Sequence, residues 1–147
     1  RLEDISPEQL LEYFKVNTIV PAMWLKYGVK LANKSHCVIT LFSARVASIS
    51  ENRLGGWYGY RSSKAALNMM LKTAAVEYKR RSPNTVLVCY HPGTVDTDLS
   101  KPFQGNVKPE KLFTPKFTAQ QLIKHTTDLD AEHSPFYLDW DGKTIQW

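Results

Sequence analysis

Apolar positions fall into two rhythms along this chain, and the rhythms predict its elements. From Leu10 through Phe14, Pro21, Trp24, Leu25 and Leu31 they recur at helical spacing. Ser6-Pro7-Glu8-Gln9 precedes them, with Ser6 as N-cap, Pro7 at the first helical position and Gln9 in the capping-box position. One long helix is therefore expected from Pro7 to about Asn33. Pro21 lies inside it, lacks an N–H and should kink it, so it offers no bond to the Asn17 carbonyl. His36 to Phe42 and Thr85 to Tyr90 are near-continuous apolar runs, as in strands buried on both faces. Phe136 to Leu138 reads as a short third strand. A helix is predicted from about Gly59 to Arg80, with Ala65, Ala66, Met69, Met70, Thr73, Ala74 and Glu77 as a small-residue stripe. Another is predicted from Thr118 to Leu129, capped by Thr118. Leu99 to Pro115, with its prolines and polar residues, reads as loop. Asp141-Gly142 reads as a tight turn.

Strands alternating with helices imply an α/β fold with a parallel sheet and right-handed crossovers. About three strands with three main helices make half of a doubly wound, Rossmann-type sheet. None of the glycines forms G-x-G-x-x-G or a P-loop. The 147 residues suffice for one domain spanning 1–147. The first residue is Arg rather than Met, so the chain reads as a fragment or a processed product.

Charge and cysteine content narrow the function classes. The net charge of +5 gathers at Lys79-Arg80-Arg81, where a helix end accommodates cations. No aromatic–basic interleaving suggests a nucleic-acid platform, so no nucleic-acid partner is expected. No apolar run approaches the ~20 residues of a membrane span, and no membrane partner is expected. Cys37 and Cys89 lie in expected strands, without C-x-x-C or zinc spacing, which points to a cytoplasmic setting and no metal.

Tyr60 and Lys64 stand four apart on an expected helix and share a face. A phenol near its ordinary pKa of about 10 is a poor acid–base group at neutrality. A neighbouring ammonium lowers that value and makes the pair able to exchange a proton with a carbonyl oxygen. Ser43-Ala44-Arg45-Val46-Ala47-Ser48 follows one strand, and His91-Pro92-Gly93-Thr94-Val95-Asp96-Thr97 follows the next. Both loops lie at carboxyl ends of strands, where open α/β sheets bind ligands. Trp57, Tyr58, Phe103 and Phe113 are candidates to line a substrate pocket.

Asn17, the Ser43 loop, Tyr60-x-x-x-Lys64 and Pro92-Gly93-x-Val95-x-Thr97 occur in the order and approximate spacing of the short-chain dehydrogenases/reductases. The strings SARVASISENRLGGWYGYRSSKAALNM, HPGTVDTDLS and WDGKTIQW resemble its C-factor-like and sniffer-like carbonyl reductase branch. The resemblance covers the catalytic half and implies that the half binding the dinucleotide phosphates is absent here. It implies hydride transfer between NAD or NADP, with NADP slightly favoured, and a small carbonyl or alcohol substrate. Alone, the chain is expected to be inactive or incomplete. The resemblance makes Tyr60 the general acid/base. It makes Lys64 the residue that tunes Tyr60 and binds the nicotinamide ribose. A serine holds the carbonyl, and Asn17 supplies a water-holding carbonyl to the kinked helix. Pro92, Gly93, Thr94, Val95 and Thr97 form the nicotinamide pocket. The family usually has two serines in a row where this chain has Ser43-Ala44, so Ser43 or Ser48 must fill that role. Homodimers or tetramers through helices 7–33 and 59–80 are implied as well. The alternative is a non-catalytic interaction or signalling protein on the same scaffold.

Overall fold

A computed structural model describes residues 1–32 and 35–147. The first long helix is made of α1 (Pro7–Phe14), a five-residue π turn (Lys15–Ile19) and α2 (Val20–Leu31). Ser6 Oγ accepts the Gln9 N–H, as the N-cap reading requires. The expected kink at Pro21 takes the form of the π turn just before it, closed by the Val20 N–H on the Lys15 carbonyl. Wider turns of this kind insert one residue into a helix, often at functional positions. The expected helix end at Asn33 lies outside the described residues.

Three parallel strands form the main sheet in the order β1 (Cys37–Phe42), β2 (Thr85–His91) and β5 (Phe136–Asp139). The central strand β2 is buried on both faces, as its apolar run predicts. Leu87 and Cys89 pack with Leu25, Leu71, Ala75, Tyr78, Tyr137 and Ile145 on one side. Val86, Val88 and Tyr90 pack with Leu138 on the other. Strand β1 departs from the expectation of burial on both faces. It pairs only with β2 among the described residues; its first five residues are half-buried, Cys37 included, and Phe42 is exposed.

Helix α3 (Tyr58–Arg81) crosses from β1 to β2 and packs on α1, the π turn and α2. Gly59 makes that contact possible, since a Cβ there would stand 2.5 Å from the Tyr13 ring. Tyr78 donates its hydroxyl to the Leu25 carbonyl at 2.6 Å and ties α3 to α2.

The expected helix from Thr118 with its cap is corrected: α4 spans Pro115–Thr126 and is capped by Thr114, whose Oγ1 accepts the Phe117 N–H. Thr114-Pro115 repeats the Ser6-Pro7 signal, and Thr118 is buried inside the helix. The expected loop 99–115 carries a short strand β4 (Leu112–Phe113) that pairs in parallel with β3 (Thr94–Val95). This pairing folds the loop back over the Pro92–Thr97 segment. Gly93 sits beneath it in the left-handed region (φ +74°), where a Cβ would stand 2.6 Å from Phe113.

Candidate active site

Several of the residues singled out from the sequence, Ser43, Lys64 and His91 among them, lie at the carboxyl ends of β1 and β2. Lys64, on the second turn of α3, donates from Nζ to the carbonyl of Phe42, the last residue of β1, at 2.9 Å. Tyr60 is half-buried one turn earlier, with its ring edge-on to Tyr13 of α1 at 6.2 Å between centroids. Tyr60, Tyr13, Trp57 and Tyr58 share the wall of a cavity of about 180 Å³ that Ile5 and Gln9 also line. Of the four aromatic residues expected at a pocket, Trp57 and Tyr58 are therefore placed beside Tyr60. Phe113 instead stacks in a cluster with Phe117 and Trp140, and Phe103 is exposed.

The electrostatics of the pair depart from the expectation. Burial, with a smaller contribution from Tyr13, raises the Tyr60 phenol above its ordinary value. Burial likewise lowers the Lys64 ammonium. Desolvation of each group thus prevails over any lowering of the phenol by the ammonium. Tyr60 is a protonated phenol at neutral pH and can give a proton before it can take one.

Asn17 reaches this pair through the helix beside it. Its Nδ2 donates to Ser63 Oγ at 3.1 Å, and Ser63 Oγ donates to the Tyr60 carbonyl at 3.0 Å. Thr18 adds a buried bond to the Ser63 carbonyl at 2.7 Å. The π turn brings both neighbours to α3, and Pro21 leaves the Asn17 carbonyl without the N–H of a regular helix.

Both serines are engaged in the fold. Ser43 is buried, and its Oγ donates to Asn68 Oδ1 at 2.6 Å. Ser48 is buried, and its Oγ accepts the Glu51 N–H at 3.1 Å, as in a serine turn. Neither is hydrogen-bonded to Tyr60 or Lys64. Ala44, between Ser43 and Arg45, is buried.

The second loop starts at His91, which ends β2. Burial first, then the Arg45 guanidinium, pushes its imidazole down to about 4, and its buried Nδ1 has no partner. Pro92 and Gly93 turn the chain into β3, where Thr94 and Val95 pair with β4. The Val95 carbonyl accepts from Ser100 Oγ at 2.5 Å and Thr97 Oγ1 at 3.4 Å, so Thr97 lies against the same segment.

Two arginines were not singled out by sequence reasoning. Arg61 holds the segment before α3, donating to the Gly55 and Gly56 carbonyls at 2.9 Å and to the Val46 carbonyl at 3.1 Å. Arg45 spans Glu51 and Asp139 at 2.8 and 2.7 Å. Arg61 lies one position after Tyr60, and its place in the motif is the one signal that could have drawn attention to it. Arg45 meets a residue 94 positions away, which no local pattern announces. Among the described residues no cluster of His, Cys, Asp or Glu could hold a metal ion, and no helix is long and apolar enough to cross a membrane.

A family model described as enoyl-(acyl carrier protein) reductase matches residues 1–130. The 1-hydroxy-2-glutathionyl-2-methyl-3-butene dehydrogenase of Rhodococcus sp. (strain AD45) is 33% identical over 133 residues, covering 90% of this chain and 56% of its own. C-signal of Myxococcus xanthus is 31% identical over 105 residues, covering 71% of this chain and 58% of its own. Carbonyl reductase Sniffer of D. melanogaster superposes with a TM-score of 0.81 at 26% identity, over 100% of this chain and 60% of that one. The NADPH-bound carbonyl reductase from chicken fatty liver gives 0.81 at 25% identity, over 100% and 60%. The chain spans a little over half the length of the relatives it matches.

Proposed function

Because the chain belongs to the short-chain dehydrogenase/reductase family, we propose that it carries the proton-handling half of an oxidoreductase site that reduces a small carbonyl compound with a nicotinamide cofactor. The observation that carries this reading is Lys64, anchored by Nζ to the last carbonyl of β1, one helical turn from a half-buried Tyr60 on a cavity wall. The chicken reductase is described with NADPH bound, which favours NADP over NAD.

The carboxyl end of the sheet fits a nicotinamide by its donor set. Lys64 has two hydrogens left after its bond to Phe42. His91 Nδ1 is a buried acceptor or donor without a partner. In this reading Pro92, Gly93, Thr94, Val95 and Thr97, which follow His91 in the chain, line the nicotinamide. A bound nicotinamide would supply the hydride. Tyr60, kept protonated by burial, gives the substrate oxygen its proton. Lys64 holds positive charge beside that phenol and donates to the ribose. Asn17 braces the first turns of α3 through Ser63, and its carbonyl is open to a water that returns protons toward Lys64. The cavity walled by Tyr13, Trp57 and Tyr58, with Arg1 and Asp4 also in its lining, takes the part of the substrate beyond the carbonyl. The one-domain organisation over 1–147 belongs to the same proposal, with the phosphates of the cofactor held by other parts of the protein.

Tyr60→Phe in the natural full-length protein tests the reading. NADPH oxidation with a panel of small aldehydes and ketones should fall by ~10²–10⁴ while the melting temperature stays within a few degrees. Retained turnover ends it. Self-association through α2 and α3 completes the proposal, since Trp24, Tyr27, Met69 and Met70 present an apolar face to solvent. One observation favours the non-catalytic alternative: Ala44 stands beside a serine whose hydroxyl is already bonded. Failure of the full-length protein to bind NADPH by nicotinamide fluorescence would select it.

A further inference from the structure

The four residues that end β1 and begin the next loop are gripped one after another. The Phe42 carbonyl accepts from Lys64 Nζ at 2.9 Å. Ser43 Oγ donates to Asn68 Oδ1 at 2.6 Å. The Ala44 carbonyl accepts from the Tyr137 hydroxyl of β5 at 2.5 Å. Arg45 bridges to Glu51 and Asp139. Lys64 and Asn68 are one turn apart, so a single face of α3 makes the first two contacts. Ser43, Asn68 and Tyr137 are all buried, whereas Lys64 is only partly so.

We propose that Ser43, Asn68 and Tyr137 are positioning residues that fix the Phe42 carbonyl beneath Lys64, and that Ser43 does not present its hydroxyl to a substrate. A serine hydroxyl has one hydrogen, and that of Ser43 is committed to Asn68. Turning it toward a ligand would strand the buried Asn68 amide oxygen that now accepts it. The neighbouring position, Ala44, has no hydroxyl to offer. The loop therefore contributes to the site through its backbone, held at a fixed distance from α3. This assignment rests on the reading of Lys64 as a member of the site.

Lys64 itself reports on the clamp. Burial depresses its ammonium, and the titratable group facing it from β2 is the Cys89 thiol, which burial holds at about 12 and keeps neutral. Loosening the loop admits water, so the titration of Lys64 should move up toward that of an exposed lysine. The measurement is an NMR titration of isotope-labelled lysine in the protein at its natural length, with Ser43→Ala, Asn68→Ala and Tyr137→Phe. Ser43→Ala and Asn68→Ala should shift Lys64 upward equally, and the double variant no further than either single one. Ser43→Thr, which keeps the hydroxyl, should restore the original titration. Should Asn68→Ala fail to fold, the Ser43 and Tyr137 variants, which remove one oxygen each, carry the comparison. An unmoved Lys64 in Ser43→Ala and Tyr137→Phe overturns the proposal. So does a loss of ~10²–10³ in kcat/KM confined to Ser43→Ala, the mark of a missing substrate donor. A shifted Lys64 combined with full turnover in Lys64→Met would uphold the clamp and remove the catalytic reading instead.

Discussion

Replacing Arg45 with methionine keeps an unbranched apolar stem and removes the charged guanidinium. In the folded protein the guanidinium meets Asp139 at 2.7 Å and Glu51 at 2.8 Å. Two unit charges 4 Å apart attract by about 4 kcal/mol at the effective dielectric near a protein surface. The Arg45 side chain is 42% exposed, and solvent screening removes much of that attraction. Asp139 is only 7% exposed, so its carboxylate would be left largely buried without a cation. Complete loss of a partner from a buried ion pair costs about 3–5 kcal/mol. The penalty here is smaller, because Asp139 Oδ1 keeps the Asp141 and Lys143 N–H groups at 3.0 and 2.9 Å. We expect a loss of about 1.5–3 kcal/mol, between the screened and the fully buried limits. Urea unfolding of the wild type, Arg45→Met, Asp139→Asn and the double variant measures the coupling directly. A coupling energy below about 0.5 kcal/mol, the level of an ordinary exposed pair, would refute the reasoning.

His91 gives a pH dependence with a defined sign. Its pKa falls from 6.5 when unfolded to about 4 when folded, through burial and the Arg45 guanidinium. Between those values the unfolded chain binds a proton that the folded one does not. The contribution is thus present in full above pH 6.5 and is lost as the pH falls toward 4, by on the order of 3 kcal/mol. Denaturation midpoints of the wild type and His91→Gln at pH 7 and pH 4.5 isolate it; parallel behaviour of the two proteins would contradict it. Separately, sedimentation should find a dimer or tetramer, and Trp24→Glu with Met69→Glu should shift it toward monomer. A monomeric wild type would remove the proposed association.

The main sheet was legible because its signals are local and redundant. Thr85–Tyr90 is apolar throughout, and the strand it forms is covered on both sides. Ser6-Pro7 announces α1 through cap chemistry alone. The same chemistry at Thr114-Pro115 starts α4 about one turn before the Thr118 start that the sequence pattern suggests. Strands β3 and β4, two residues each, are too short for a period of two to register. In the candidate site, the position of Tyr60 and Lys64 one turn apart on a single helix was legible from their spacing. The direction of the Tyr60 shift was not, because it comes first from burial by neighbours distant in sequence and then from the electrostatic contribution of Tyr13. The commitment of Ser43 depends on Asn68, which lies 25 positions away and is set by the crossover of α3.

The π turn at Lys15–Ile19 has a consequence for how this region tolerates change. Each residue added to or removed from a regular helix rotates everything beyond it by about 100°. The widened turn holds one such step between the side of α1 that carries Tyr13 and the side of α2 that carries Leu25. Deleting a single residue there would remove that step and leave a regular helix, with Tyr13 and Leu25 keeping their faces, while the widened turn that brings Asn17 and Thr18 to Ser63 would be lost. The segment thus acts as a phase buffer: a one-residue deletion within the turn is absorbed locally, whereas the same deletion in the regular helix of α2 would rotate everything beyond it by about 100°.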